Sequence, residues 1–291
     1  MPNVKLGKLP KREDKRNIQL RNILKLSALP PLPSEYNLDA SLGGVLDNNM
    51  YGNDMYGDCV IAGRAHQTLR FEKFEQGILI TITDKEVIDQ YFKESGGFDR
   101  GLVMLNSLNS WRKEGWKIGD KIYNIYAYAE VNPKDHDEVK YCILLLGGCY
   151  LGFSVPQSSL DQFDDGLIWD VVPNDGGIQG GHAIYVLAYL SITGYNETGP
   201  ICMTWGKRQQ MTWAFWDKYV DEAYGVIDNR NDWQENSPVD VAKLDGYLRE
   251  ITSQPPNPEP STCPIGRGTA KIMNVLPRVL RRQGRFHYMN R

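Results

Sequence analysis

The sequence predicts an α+β fold in two lobes, helical in its first half and built on an antiparallel sheet in its second. Three observations predict it. Apolar residues recur at helical spacing over residues 60–76, 102–114 and 135–146. Gly181–Leu190 is the clearest strand, and Ile201–Trp205 is its mate, joined to it through Gly194–Gly199 as a hairpin. Helices come first and strands later, which argues against the regular alternation of a parallel α/β sheet.

Each element follows in chain order. Residues 1–36 form an extended basic arm closing in Ala28-Leu-Pro-Pro-Leu-Pro-Ser-Glu-Tyr36, where clustered prolines favour polyproline conformation laid along a surface. Residues 37–46 are an entry segment. Residues 51–58 crowd Gly, Asn and Asp into a loop, and a helix follows over 60–76 and stops at Gly77. Ile78–Thr83 is a short strand or a linker. Thr83 and Glu86 form a capping box that opens a helix through about Lys93. A helix over 102–114 ends at Gly115. Ile122–Val131 alternates as one strand, and the helix over 135–146 runs into Gly147-Gly148. Cys149–Val155 is a strand ended by Pro156, and 157–180 is loop-rich. Trp213–Ala223 is a short aromatic helix or helix-turn. The chain therefore divides into the arm 1–36, a main domain 37–227, a polar extension 228–263 containing a proline linker, and a basic tail 264–291.

Composition excludes several classes. Of 291 residues, 41% are hydrophobic and 24% charged, the balance of a globular chain. No apolar run is long enough to span a bilayer and the first residues lack a secretory pattern, so no membrane partner is expected and the location expected is cytoplasmic or virion-associated. Five cysteines without a CxxC pair argue against zinc. Cys142, Cys149 and Cys202 fit small buried residues. Residues 228–232 alternate Asp and Asn but lack the Glu and Gly of a calcium loop. The glycines of 176–181 are not followed by the helix and Lys/Ser of a phosphate loop. No cofactor and no metal are expected.

Charge is uneven. Residues 1–25 hold eight Lys/Arg against two acids, and residues 264–291 hold seven Lys/Arg and no acid, yet the chain carries a net charge of −3. The body between the two arms is strongly acidic. Docking of the arms, on the body or on assembly partners, is favoured over a nucleic-acid partner, because Ile272, Val275, Leu276, Val279 and Leu280 keep the helical spacing of a packed face.

Cys59 stands at the junction of the 51–58 loop with a helix. There a thiol meets the positive end of the helix dipole and unpaired backbone N–H groups, which favour the thiolate. Asn53, six residues earlier, brings a side-chain amide toward the same point. That is the layout of a thiol acyl-transfer site, with the Cys59 N–H and the Asn53 amide holding an oxyanion. Among the four histidines, His66 is two turns along the helix from Cys59, His136 sits at an acidic helix start and His287 in the tail. His182 opens a strand after Asp175-Gly-Gly-Ile-Gln-Gly-Gly181, where four glycines leave the backbone bare as a substrate-facing base needs.

Asn53-x5-Cys59 opening a helix, Gly-Gly-His182-Ala-Ile at a strand start and Thr204-Trp-Gly206 at a later strand end together resemble the papain-like cysteine peptidase superfamily. The resemblance covers roughly residues 30–225. A narrower likeness is to uncharacterised papain-like proteins of bacteriophages and bacteria. It implies a two-lobe papain-like fold, a peptide or protein substrate, Cys59 as nucleophile, His182 as base, Asn53 as oxyanion donor and Trp205 as a shield over the imidazole. The departures are Asn53 for the family's Gln, Asp58 beside the cysteine, and Met203 where the family's orienting Asn aligns. Thr204, Asn196 and Asp175 are the candidates to replace that Asn. Two readings follow: a thiol hydrolase of peptide or isopeptide bonds, or a weak or inactive relative held in a larger assembly such as a virion by its basic arms.

Overall fold

The computed structural model describes residues 4–44, 48–228 and 238–253. The arm carries α1 (Leu20–Ile23), a short 3-10 turn at Leu26–Ala28 and β1 (Tyr36–Asn37), followed by α2 (Leu38–Ser41). The helical lobe is α3 (Cys59–Gln76), α4 (Asp84–Ser95) and α5 (Met104–Lys113). A small hairpin, β2 (Trp116–Ile118) with β3 (Lys121–Tyr123), leads to β4 (Ile125–Glu130), α6 (His136–Leu146), β5 (Cys149–Pro156) and α7 (Gln157–Asp164). The second half adds β6 (Ile178–Ser191), β7 (Thr198–Thr204), β8 (Lys207–Gln210), α8 (Trp213–Tyr219), β9 (Val220–Asp228) and α9 (Val241–Ser253).

The main sheet runs β4-β9-β5-β6-β7-β8, all antiparallel, with β1 pairing on β6. Both of its faces are covered. Tyr150, Ala183, Tyr224 and Val226 pack with α3, α4 and α5, while their strand neighbours Leu151, Ile184, Ala223 and Ile227 pack with α6 and α8. Strands buried on both faces lose the in-out alternation of polarity, which is why β5 and the middle of β6 are nearly continuously apolar. Helix α3 is itself buried from Cys59 to Glu72, against β5 and β6 behind it and α4 and α5 around it. It ends at Gly77 in the left-handed region (φ 66°). The Thr83–Glu86 capping box forms as predicted.

Several expectations are corrected. Ile122–Val131 is two strands, because Ile122 belongs to the small hairpin and only Ile125–Glu130 joins the main sheet. The segment 157–180 contains α7, whose apolar face buries Phe163. Trp213–Ala223 is a helix only to Tyr219. It passes without a turn into β9, a central strand between β4 and β5, so aromatic helix spacing masked a buried strand start. The polar extension holds α9, with Leu244 in the core. Of the two alternatives for Ile78–Thr83, it is the linker, with no strand. The expected packed face of the tail 264–291 lies outside the described residues.

The arm is docked on the body. Ile18, Leu20 and Ile23 enter the main core. Leu24 pairs with Val239 ahead of α9. The proline run lies on the surface as expected, with the Tyr141 and Tyr189 hydroxyls donating to the carbonyls of Pro30 and Pro33.

Two buried arginines of α3 are paired with carboxylates. Arg70 on α3, fully buried, forks onto Asp39 of α2 (Nε–Oδ1 2.7 Å, Nη2–Oδ2 2.9 Å). Arg64 meets Glu94 at 2.8 Å and lies over the rings of Trp111 and Trp116. Removing one partner of such a pair leaves a buried charge and costs about 3–5 kcal/mol. Asp39→Ala is therefore expected to lower the unfolding free energy by about that amount, measured by urea titration. A loss under about 1 kcal/mol would show that water reaches Arg70 and that the pair does not tie α2 to α3.

Candidate active site

The loop before α3 is wound tightly. Tyr51 and Gly52 both have positive φ (56° and 89°), and a Cβ on Gly52 would come within 2.7 Å of Ile88. The Asp58 carbonyl accepts from the Ile61 and Ala62 N–H groups and starts the helix, so Cys59 is its first residue. The N–H of a residue at that position has no acceptor within its own helix.

Strand β6 brings the second element to this point. The Ala183 N–H donates to the Cys59 Sγ at 3.4 Å, which makes the residue after His182 a direct neighbour of the thiol. His182 is buried. Its Nε2 is 2.7 Å from the Thr204 Oγ1, and its Nδ1 has no hydrogen-bond partner among the described residues. Trp205 stacks on the imidazole with ring centroids 4.3 Å apart, and Phe153 meets it edge-on. Trp205 is positioned by a tight turn. It and Gly206 both have positive φ (43° and 70°) in the two-residue turn that joins β7 to β8.

Of the candidates, Thr204 is thus the one that meets the imidazole, and Met203 does not. Successive residues of a strand face opposite ways. Met203 pairs with Tyr185 and packs with Leu38 and Leu187, on the side away from His182. Asn196 is exposed in the β6–β7 turn. The Asp175 carboxylate is engaged by the Tyr219 hydroxyl and Lys218. His66 is buried two turns along α3 against Tyr51, and His136 lies half-exposed against Asp217 and Trp213.

The cleft over Cys59 is filled by the chain's own residues 4–9. The Lys5 N–H donates to the Asn53 carbonyl, and the Asn53 Nδ2 donates to the Lys5 carbonyl at 3.3 Å and to that of Tyr56 at 3.0 Å. The Gly7 N–H faces the Cys59 sulfur. Leu102 donates to the Gly7 carbonyl and accepts from the Leu9 N–H, a parallel bridge, while the Lys8 N–H donates to the Gly181 carbonyl at 3.0 Å. Glycines line this path. A Cβ on Gly7 would stand 1.7 Å from the Gly57 carbonyl oxygen, and one on Gly181 would stand 2.4 Å from the Lys8 carbonyl oxygen. The bare backbone before His182 does face a peptide, and that peptide is the arm.

Burial governs the electrostatics. It pushes the Cys59 thiol up to about 11, the Ala183 N–H pulling against it and Asp58 adding to it. A helix N-terminus offers a thiolate about 0.3–1 kcal/mol. The rise amounts to about 3 kcal/mol in the other direction, so the expected thiolate is not favoured while the arm lies on the sulfur. Burial also holds the His182 imidazole down to about 3, so it is neutral. In this state the Cys59 thiol and the His182 imidazole are both neutral.

No protein-family model matches the sequence, and no curated protein does. Solved structures do. Xylellain, a cysteine protease from Xylella fastidiosa, superposes with a TM-score of 0.61 at 17% identity, over 78% of this chain and 97% of that one. The proCathepsin B S9 from Trypanosoma congolense gives 0.56 at 11% identity, over 78% and 87%. The fold is papain-like. The cysteine protease and lectin-like domains of Cwp84 from Clostridium difficile match at 0.56 and 12% identity, over 80% of this chain and 58% of that chain.

The contact of Lys8 with Asp221 and Glu222, beside Gly152, was not legible in the sequence. Lys8 is one of eight basic residues in the arm, and the acids sat in a segment assigned to a helix. Asp58 has a consequence for stability. Burial raises its carboxyl from 3.8 to about 8, although the Asn53 amide pulls it down. A folded-state pKa above the unfolded one gives stability that is complete below the unfolded value and is lost as pH rises through the folded one. Asp58→Asn is expected to flatten the fall in urea midpoint between pH 5 and 8. An identical fall in wild type and variant would place the titration elsewhere.

Proposed function

We propose that the chain is a thiol hydrolase of peptide or isopeptide bonds, held in a self-blocked form by residues 4–9. The observation that carries this reading is the contact of the Ala183 N–H with the Cys59 sulfur, which places a cysteine at a helix start against the strand that carries an oriented histidine. In this reading His182 takes the thiol proton as Sγ attacks the carbonyl carbon. The Cys59 N–H and the Asn53 Nδ2 hold the oxyanion, and Asn53 already donates to an acyl oxygen, that of Lys5. The imidazolium returns the proton to the leaving amine, and water then hydrolyses the thioester. Thr204 keeps the ring in register, and Trp205 keeps water off it.

The blocked form is inert for a chemical reason. The arm presents the Gly7 N–H to the sulfur, where a substrate presents a carbonyl carbon. Withdrawal of the arm exposes the thiol to water and relieves the burial that disfavours the thiolate. Gly7→Val is built for this, because any Cβ there meets the Gly57 carbonyl.

Iodoacetamide is expected to label Cys59 slowly in the wild type and at least tenfold faster in Gly7→Val, read by mass spectrometry. Equal slow labelling in both would overturn the arm as the block. In the Gly7→Val background, His182→Ala is expected to abolish the gain. Thr204→Val is expected to reduce labelling and casein hydrolysis about tenfold, the kinetic equivalent of one hydrogen bond of about 1–1.5 kcal/mol. No hydrolysis of casein or of a mixed peptide library by Gly7→Val would overturn the hydrolase.

A further inference from the structure

Among the described basic residues of the arm, Lys8 is singular. Its side chain is only 1% exposed, against 26% for Lys11 and 20% for Arg16. Its ammonium sits between two carboxylates, with Nζ 2.8 Å from the Asp221 Oδ1, 2.9 Å from the Asp221 Oδ2 and 3.0 Å from the Glu222 Oε1. Glu222 is fully buried and oriented by the Tyr224 hydroxyl, which donates to its Oε2 at 2.9 Å. A buried carboxylate without a cation is costly, so this site is built to be filled by positive charge.

The site has the shape of a slot. Its wall is bare at Gly152, where a Cβ would come 2.1 Å from the Lys8 Cε and 2.8 Å from the Met104 Sδ. The opening admits the unbranched stem of a long side chain, and the acids wait at its end. At the mouth, the Leu102 N–H and C=O and the Gly181 C=O pair with the backbone at Gly7, Lys8 and Leu9. Those backbone groups accept any extended peptide, and the side-chain slot supplies the selection. The slot also adjoins the nucleophile, since β9 sets Glu222 beside Gly152, and β6 sets Ala183 on its other side, in contact with Cys59.

We propose that the slot filled by Lys8 is the specificity pocket of the cleft, and that it selects peptide substrates carrying lysine or arginine at the residue that enters it. The proposal rests on the hydrolase reading for the word substrate, while the selection of a basic side chain is a binding property measurable without turnover. The arm then blocks the cleft by using the same recognition that a substrate uses.

Two measurements on full-length Gly7→Val, designed to displace its own arm, separate the claims. The first is fluorescence anisotropy with a labelled peptide of the sequence of residues 4–12 and with its Lys8→Leu version. The lysine peptide is expected to bind at least tenfold more tightly, and Asp221→Asn or Glu222→Gln in the protein is expected to bring the ratio of the two affinities near one. Asp221 is partly exposed and gives a variant that does not depend on the buried Glu222 for folding. The second is cleavage-site profiling with a mixed peptide library. Basic selection in binding without any cleavage would sustain the pocket and overturn the hydrolase. Cleavage with no preference for lysine or arginine at any one position would sustain the hydrolase and overturn the pocket. Equal or absent binding of the two labelled peptides would likewise overturn the pocket.

Discussion

The register of three strands holds this site together. Glu222 of β9 lies beside Gly152 of β5, and Gly152 lies beside Ala183 of β6. From that row come the acid end of the slot, its bare wall and the N–H that touches the Cys59 sulfur. A slip of one residue in any of the three would turn each side chain to the opposite face. Such a slip is forbidden because both faces of the sheet are buried: Tyr150 and Tyr224 belong to the side of α3, while Leu151 and Ala223 belong to the side of α6 and α8. The packing of the core and the geometry of the cleft are one constraint.

The same parity explains why Thr204 and not Met203 meets His182. One step along β7 separates Met203, which packs with Tyr185, from Thr204, which reaches His182. The turn at Trp205 and Gly206 ends the strand there and folds the indole back over the imidazole. A hydroxyl at 2.7 Å and a stacked indole give the neutral imidazole orientation and shelter.

Residues 4–9 change the character of the cleft. They bring no catalytic group, yet they remove water from the thiol, turn an amide N–H toward it and neutralise the acids of the slot. The approach is close because glycines face each other along the path, at positions 7, 57, 101 and 181. Recognition by backbone pairing and one buried cation makes the arm a ligand of its own chain, tethered through a core that includes Ile18, Leu20 and Ile23.

Much of this was legible in local sequence. A loop of Gly, Asn and Asp before an apolar helical stripe determines that Cys59 starts a helix, and Thr83 with Glu86 determines the start of the next. Glycines before His182 mark a backbone that a peptide approaches, and the α+β order of elements follows from periodicity alone. These are effects of neighbours within a few residues. The rest needed contacts between distant segments. Strand β9 was hidden because Trp213–Tyr219 shares its aromatic character with a helix that runs straight into it, and only its place between β4 and β5 makes it a strand. Thr204 could be named among three candidates but not chosen, since the choice depends on which face of β7 meets His182. Lys8 was one basic residue of eight until the fold set Asp221, Glu222 and Gly152 around it. The dipole at the start of α3 is a local property and favours a thiolate; burial under the arm is a tertiary one and is stronger, so the described state holds a neutral thiol.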